Sequence, residues 1–133
     1  VNEFLSGARS AYEWILMSFE KNEIDEIREF LSEEVAEAFD AVVEQRVSQG
    51  LTIEAEFIGI REMKLMAASY SSKTKTAEIS VSFVGEMTSV VKNSSGEIVE
   101  GDSKQIKRQK DIWTFSKDIK SSSPNWLLVA TGE

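Results

Sequence analysis

The sequence contains neither cysteine nor histidine. The absence of cysteine excludes disulfide bonds, thiolate metal sites and cysteine nucleophiles. The absence of histidine removes the commonest general base and the imidazole ligand of many protein metal sites. We therefore expect no metal and no cofactor, and neither zinc, haem nor triad catalysis. Carboxylates remain as the acid–base groups to consider.

Long apolar runs and prolines are also scarce. No stretch approaches the roughly 20 consecutive apolar residues of a membrane-spanning helix, and no signal-peptide pattern opens the chain. With 41% apolar and 29% charged residues, the 133-residue chain has the composition of one globular domain. Its first residue is Val1 rather than methionine, so we expect residues 1–133 to be a single domain excised from a longer chain.

Negative charge is concentrated in the first part of the chain. Residues 1–50 hold twelve acids and four bases, whereas residues 51–133 hold eleven of each, which together give the net charge of −8. Within the second part, residues 104–120 contain six bases against Asp111 and Asp118. A short basic run in a domain that repels phosphate disfavours a nucleic-acid partner.

Residues 3–50 have a helical period, which predicts three helices. Asn2 is a suitable N-cap for the first helix, Asn22 for a short second helix and Ser32 for a third. Gly50 fits the left-handed position just past the third helix. The apolar positions are Phe4, Leu5, Ala8, Tyr12, Ile15, Leu16 and Phe19 in the first helix, Ile24, Ile27, Phe30 and Leu31 in the second, and Val35, Ala38, Phe39, Val42, Val43 and Val47 in the third.

After Gly50 the apolar period changes to two, which indicates β-strands. The predicted strands cover residues 51–65, 77–87, 105–115 and 124–131, with a turn at 69–76 and a hairpin tip at 93–96. Gly59 and Gly85 interrupt the alternation, so we expect bends there. This order of elements predicts an α+β fold, in which three N-terminal helices pack on a curved four-stranded antiparallel sheet. Such a sheet, wrapped over a helix, forms a cone with an open mouth.

Asp111 is the candidate for acid–base chemistry. It alternates with Trp113 and Phe115, so the three side chains share one face of the third strand. In an apolar cavity a desolvated carboxylate suits proton abstraction beside a carbonyl, as in ketosteroid isomerases. The simpler alternative places Asp111 at the rim or pairs it with Lys107 or Lys110. We favour this alternative because neither an oxyanion donor nor a phosphate-binding glycine loop accompanies the carboxylate.

The aromatic residues divide into two sets. Trp113, Phe115 and Trp126 fit the core between neighbouring strands. On the first helix, Trp14 and Met17 fall outside the apolar arc, on the side of the acidic residues. An apolar pair in that position indicates contact with a partner, with a bilayer surface, or with the second helix folding back.

Four segments of the chain resemble a known family: FLSGARSAYEWIL (4–16), GEIVEG (96–101), DIWTFSKD (111–118) and SPNWLLVAT (123–131). In order and spacing they are similar to the C-terminal domain of the import-motor scaffold, the forty-four-kilodalton subunit of the mitochondrial inner-membrane presequence translocase, and to its bacterial relatives. Lys117 and Ser123 depart from the family pattern, which has arginine and aspartate there. The matching positions are Gly7, Ala8, Ala11, Tyr12, Asp111, Trp113, Phe115, Asp118, Pro124, Asn125 and Trp126.

The resemblance implies a cone similar to nuclear transport factor two, with an apolar, lipid-binding pocket lined by Tyr12, Phe83, Trp113, Phe115 and Trp126. It implies a non-enzymatic adaptor that associates peripherally with an inner membrane, the bacterial one being favoured over the mitochondrial. The expected partners are membrane lipid, protein translocation or assembly machinery, or both, with Trp14 and Met17 as surface contacts. A ribosome-to-membrane tether and an enzyme with Asp111 as base remain alternatives.

Overall fold

The computed structural model describes residues 2–120 and 126–132. Helical elements come first along the chain, and the strands of one antiparallel sheet follow, which confirms the predicted α+β order. The number of α-helices is two rather than three in the described chain. The elements are α1 (Asn2–Glu20), two 3-10 turns (Ile24–Glu26 and Arg28–Phe30), α2 (Glu33–Ser48), β1 (Thr52–Ser71), β2 (Thr76–Lys92), β3 (Ile98–Asp118) and β4 (Leu127–Gly132).

The prediction of a helix between α1 and α2 is wrong. The backbone there makes two consecutive 3-10 turns, each closed by a hydrogen bond of i to i+3 spacing. Leu31 is already extended and forms a parallel bridge with Leu128, and the N–H of Ser32 donates to the Leu128 carbonyl at 2.9 Å. Because this bridge to β4 requires an extended backbone, the apolar spacing of the segment is accommodated by short turns.

Helix α2 begins and ends where the sequence predicts, but its buried face is shorter. Ser32 Oγ accepts the Val35 N–H at 3.3 Å, and Gly50 has a φ of +69° just past the helix. Val35 is buried, whereas Val42 and Val47 of the predicted stripe are exposed. The reason is that α2 packs against β4 and the end of α1, so its last turns extend beyond the sheet.

The four strands lie in sequence order, and every neighbouring pair is antiparallel. Strand β3 begins at Ile98, earlier than predicted, because pairing resumes directly after the hairpin tip. Asn93 Oδ1 accepts the N–H groups of Ser95 and Glu97 at 3.0 Å, which confirms a tight turn there. Strand β4 begins at Leu127, and the predicted start at Pro124 lies outside the described residues.

Strand β1 carries three register shifts against β2, and one of them lies between Phe57 and Gly59. This confirms the bend predicted at Gly59. Gly85 of β2 pairs with Ile60 of β1 and with Gln109 of β3, and β2 itself has no extra residue at this point. An extra residue in one strand increases the local twist, so we expect β1 to twist more strongly at these three points. Strand β3 is also irregular against β2, since residues 103–106 have no partner there.

The core lies between α1 and the sheet. The ring of Tyr12 stacks on Phe83 of β2, with centroids 4.3 Å apart and planes 8° from parallel, and Trp113 of β3 packs against both rings. Each of these side chains is at most 3% exposed. In the part of the chain that the structure describes, no helix is long and apolar enough to cross a membrane.

Candidate functional site

An open apolar groove of about 870 Å³ runs beside α1 and is referred to below as the α1 groove. One side of it is α1, and the other is built from the second 3-10 turn, β3 and the residue before β4. Its two charged side chains are Glu3 and Lys117. The remaining lining residues are Phe4, Gly7, Ala8, Ser10, Ala11, Trp14, Ile15, Phe30, Phe115 and Trp126.

Small residues of α1 form the floor of the α1 groove. Gly7, Ala8 and Ala11 follow one another at helical spacing, so the helix backbone lies close to the surface there. A Cβ atom on Gly7 would meet no atom within 4 Å. Glycine inside a helix costs about 1 kcal/mol relative to alanine, and no neighbouring group of the described chain requires it. Gly7 therefore widens the groove while lowering the stability of the helix.

Aromatic rings form the walls. Trp14 meets Phe30 edge-on, with centroids 5.0 Å apart, and Phe4 meets Trp126 edge-on at 4.9 Å. Trp14 is 42% exposed, so part of its indole faces solvent across the groove. Phe30 reaches this position because the 3-10 turn replaces the predicted helix. The rings hold one another in place, and the groove is open without any rearrangement of the chain.

A polar contact lies beneath α1, apart from the groove. The phenol of Tyr12 donates to Asp111 Oδ2 at 2.7 Å, and Gln109 Nε2 donates to the same oxygen at 2.9 Å. Burial, and then the hydrogen bond to Asp111 and its charge, raise the pKa of Tyr12 above its ordinary value of 10.0. Asp111 therefore accepts from two neutral groups, and the predicted pairing with Lys107 or Lys110 is wrong.

Gly85 gives the Tyr12 ring its place on the sheet. A Cβ atom at residue 85 would lie 3.0 Å from both Cε2 and the hydroxyl oxygen of Tyr12. The sequence predicted a bend at Gly85. A register shift of β1, between Ile60 and Glu62, lies opposite this residue, and the glycine also permits the close approach of a ring from α1. This contact fixes the height and the rotation of α1 over the sheet, and with them the direction in which Gly7 and Ala11 face.

Arg46 of α2 holds the end of α1. Its Nη1 donates to the Phe19 carbonyl at 2.9 Å and to Asn22 Oδ1 at 3.0 Å, and the guanidinium lies 4.5 Å from the centre of the Phe19 ring. Its Nη2 lies 4.0 Å from Glu20 Oε2. Burial raises the pKa of Glu20 above its ordinary value, an effect that Arg46 opposes. The same burial lowers the pKa of Arg46.

Sequence reasoning missed Phe30, Gln109 and Arg46. A signal existed for Arg46, because it is the only base in the acidic helix α2. A lone base among carboxylates is typical of a capping or ion-pair role. Phe30 was predicted to lie in a helix that does not form. Gln109 was not predicted because a neutral amide within a basic run indicates no particular partner.

The residues predicted to line the pocket occupy two different places. Phe115 and Trp126 line the α1 groove, as do the motif residues Gly7, Ala8 and Ala11. Tyr12, Phe83 and Trp113 are instead enclosed in the core and are not part of the groove lining. The physical reason is that α1 lies on the sheet and its Tyr12 ring fills the space that an empty cone would leave open.

The remaining predicted residues also lie in different parts of the molecule. Trp14 lines the groove, whereas Met17 is half-buried and packs against the core. Asp118 Oδ1 accepts the N–H of Lys120 at 2.9 Å and closes the turn after β3. The motif residues Pro124 and Asn125 lie outside the described residues. Among residues 2–120 and 126–132, no group of three acidic, histidine or cysteine side chains is placed to hold a metal ion.

These features define a class of protein: an α+β domain with an antiparallel sheet, two helices and an open apolar groove beside the first helix. The chain belongs to the Tim44-like domain family, whose model matches residues 1–133. This match confirms the resemblance drawn from the Gly7–Ala11 and Asp111–Asp118 segments.

The fold is similar to that of the intermembrane-space region of the chloroplast protein ARC6, as seen in its crystal structure. The TM-score is 0.55 at 10% sequence identity, and the match covers 93% of this chain and 94% of the other. At this identity the similarity concerns the fold alone. Among curated proteins, no relative of the chain is found.

Proposed function

We propose that this domain is a membrane-associated, non-enzymatic scaffold whose α1 groove holds an apolar segment of a partner in a protein translocation or assembly machinery. The observation that carries the proposal is the α1 groove itself, which is open, mainly apolar and walled by aromatic rings. Grooves of this kind accept the apolar face of an amphipathic helix.

The floor of the groove favours a helix as the bound segment. Gly7 and Ala11 are four residues apart and bring the α1 backbone close to the surface, and small residues at this spacing let a second helix approach closely. The exposed edge of Trp14 supplies a large apolar anchor beside them. A lipid acyl chain is the alternative occupant, since it too needs only an apolar lining.

Family membership supports the membrane-associated part of the proposal, with peripheral attachment to an inner membrane, the bacterial one being favoured. Within this proposal, residues 1–133 act as one domain of a longer chain. The register shifts of β1 support a sheet that curves around α1 into a cone similar to nuclear transport factor two. In that shape the α1 groove is the side opening of the cone.

An isomerase that uses Asp111 as its base is less well supported. Asp111 already accepts hydrogen bonds from Tyr12 and Gln109, and it does not line the α1 groove. A substrate would have to displace a phenol that is stacked between two rings. A ribosome-to-membrane tether differs from the proposed scaffold only in its partner, and no observation of this structure favours it.

Filling the groove tests the proposal. The Gly7→Leu substitution places a side chain in open space, so the helix is kept while the groove is blocked. Calorimetric titration with a synthetic, neutral amphipathic helix of leucine, alanine and glutamine measures binding. We expect binding by the natural chain and by Gly7→Ala, and loss of binding in Gly7→Leu. Ser6→Leu, which places the same side chain at an exposed position outside the groove lining, is the matched control.

Flotation with phosphatidylglycerol vesicles distinguishes the two occupants. If the natural chain binds vesicles but not the amphipathic helix, and if Gly7→Leu abolishes the vesicle binding, then the groove binds lipid. That result would overturn the proposal that the groove holds a segment of a partner protein. Equal peptide binding by Gly7→Leu and the natural chain would remove the groove from the function altogether.

A further inference from the structure

Strand β4 covers only one end of β3. Their pairing runs from Ser116 opposite Leu127 to Ile112 opposite Gly132. Within the described chain, β4 leaves residues 98–111 of β3 without a strand on one side. On the other side β2 pairs with this stretch except at Val99 and at residues 103–106, where the register shifts. The Lys104 N–H donates to Asp102 Oδ1 at 2.8 Å, so the backbone groups that are free to pair with an added strand are those of the regular stretch 107–111.

This free edge is strongly basic. Residues 104–111, called the basic edge below, carry Lys104, Lys107, Arg108 and Lys110, all of which are exposed. Arg108 Nε pairs with Glu86 of β2 at 3.2 Å, whereas the three lysines make no ion pair within residues 2–120 and 126–132. The basic edge is thus a local concentration of uncompensated positive charge on a chain whose net charge is −8.

Lysines on a free edge have a simpler explanation, because they prevent edge-to-edge aggregation. They do so by repelling a second copy of the same edge. An acidic strand, in contrast, is attracted by the same lysines. The other sheet edge, β1, is protected differently, by its three register shifts. Strand β3 keeps an unbroken register with β2 from Lys107 to Asp118, so its backbone presents a regular edge at Lys107, Arg108 and Lys110, whereas Lys104 lies in the irregular stretch just before it.

We propose that the basic edge binds an extended, acidic segment of a partner protein as a strand added to β3, in line with β4. Hydrogen bonds between the two backbones would supply the affinity, and carboxylates opposite the lysines would supply the specificity. The regular part of the free edge, residues 107–111, matches the usual strand length of about 5–6 residues. No residue of the α1 groove takes part, so this surface and the groove bind independently.

The test measures binding of an acidic peptide of alternating glutamate and valine to the 133-residue chain. Fluorescence anisotropy measures the binding of the peptide, and NMR follows amide hydrogen exchange in the protein. Two further peptides serve as controls: the acidic peptide with alternate amides N-methylated, which cannot form a ladder, and a lysine–valine peptide of reversed charge. We expect only the unmodified acidic peptide to bind, and we expect it to slow exchange of the outward-facing β3 amides between Lys107 and Asp111.

Charge reversal on the protein localises the site. Lys104→Glu with Lys110→Glu should weaken binding about tenfold or more, because Lys110 would lie opposite the added strand and Lys104 just beyond its end, and attraction becomes repulsion at both positions. Lys73→Glu with Lys120→Glu makes the same change in net charge at the opposite end of the sheet, at two exposed positions, and should leave binding unchanged. Lys107 is left in place because its charge acts on the buried Glu20.

Three results would overturn the proposal. Equal binding of the N-methylated peptide would show attraction of charge without an added strand. Equal loss in the Lys73/Lys120 variant would show an effect of net charge alone. The third result is binding of anionic vesicles in the absence of peptide binding. If the Lys104/Lys110 variant also loses that vesicle binding, the edge binds a membrane surface instead.

Discussion

The phenol of Tyr12 and the carboxylate of Asp111 meet at 2.7 Å although 99 positions separate them in sequence, and this hydrogen bond joins α1 to β3. The Tyr12 ring is fully buried, so its hydroxyl has no access to water as a substitute partner. The bond therefore links the helix that carries the groove floor to the strand that carries one groove wall.

Removal of the phenol hydroxyl should destabilise the domain. Tyr12→Phe keeps the ring stacked on Phe83 but leaves Asp111 with one donor fewer, so we expect a loss of about 1–2 kcal/mol in the free energy of unfolding. Urea denaturation measures it, with Tyr70→Phe at an exposed position as the control. A double-mutant cycle with Asp111→Ala, which removes the acceptor, should show a coupling of about 1 kcal/mol. Strictly additive effects would contradict a direct bond.

The raised pKa of Tyr12 predicts a loss of stability in alkali. The folded state favours the neutral phenol more than the unfolded state does, so this contribution is complete below pH 10.0 and declines as the pH rises beyond it. In Tyr70→Phe, Tyr12 is the only tyrosine left. Ultraviolet titration of that variant should show phenolate appearing only together with unfolding. Phenolate formation near pH 10.0 in the folded protein would contradict the prediction.

The close approach of Tyr12 to β2 makes Gly85 sensitive to substitution. In Gly85→Ala the new methyl group would press on a ring that is held by Phe83 and Trp113, so we expect a loss of about 1–3 kcal/mol. Thermal and urea unfolding measure the change. Gly59→Ala is the matched control, because its Cβ would meet no atom within 4 Å. Similar losses in both variants would point to backbone strain in place of the ring contact.

Removal of Arg46 should destabilise the domain in a pH-dependent way. Arg46→Met leaves the Phe19 carbonyl without its donor and the buried Glu20 without its nearby cation, so we expect a loss of about 1–3 kcal/mol at neutral pH. The pKa of Glu20 is already raised by burial, so its protonated form favours folding and its ionised form opposes it. The deficit should therefore shrink as the pH falls toward 4.5, the ordinary pKa of the carboxyl, and be smallest below it.

Urea unfolding of Arg46→Met and Glu20→Gln, each at neutral and acidic pH, checks this sign. Glu20→Gln removes the ionisable group, so the double variant should lose the pH dependence of the Arg46→Met deficit. An Arg46→Met deficit of the same size at neutral and acidic pH would show that Glu20 is not coupled to Arg46, and that the loss comes from the contacts with the Phe19 carbonyl and Asn22 alone.

Trp14 and Met17 should respond differently when they are truncated, although both lie outside the apolar arc of α1. Trp14→Ala should weaken binding of an amphipathic helix to the α1 groove and change stability by about 1 kcal/mol or less. Met17→Ala removes part of the core, so it should cost about 1–2 kcal/mol of stability and leave that binding unchanged. Titration calorimetry and urea unfolding separate the two effects. Equal effects of both variants on binding would contradict this assignment.

The sequence was a good guide wherever a local rule sets the structure. Ser32 as N-cap, Gly50 past the end of α2, the Asn93–Gly96 turn and the bend at Gly59 each depend on a few neighbouring residues, and all four are confirmed. Gly7 and Ala11, which the family pattern singled out, both line the α1 groove.

Features that depend on distant partners could not be predicted in the same way. The helix expected after Asn22 fails because Leu31 pairs with Leu128, far along the chain. Asp111 was assigned lysine partners from its own strand, whereas its partner Tyr12 comes from α1. Helical periodicity put Tyr12 on the buried face, but it cannot tell a ring that lines a cavity from one that fills it.

The bridge between Leu31 and Leu128 has a consequence for synthesis on the ribosome. A newly made chain leaves the exit tunnel from its amino end, so α1, the 3-10 turns and α2 emerge long before residue 128 does. Until then Ser32 has no carbonyl to which its N–H can donate, and the entry into α2 stays unanchored. The helical third of the molecule is thus synthesised first, and its contact with β4 can form only after residue 128 has left the tunnel.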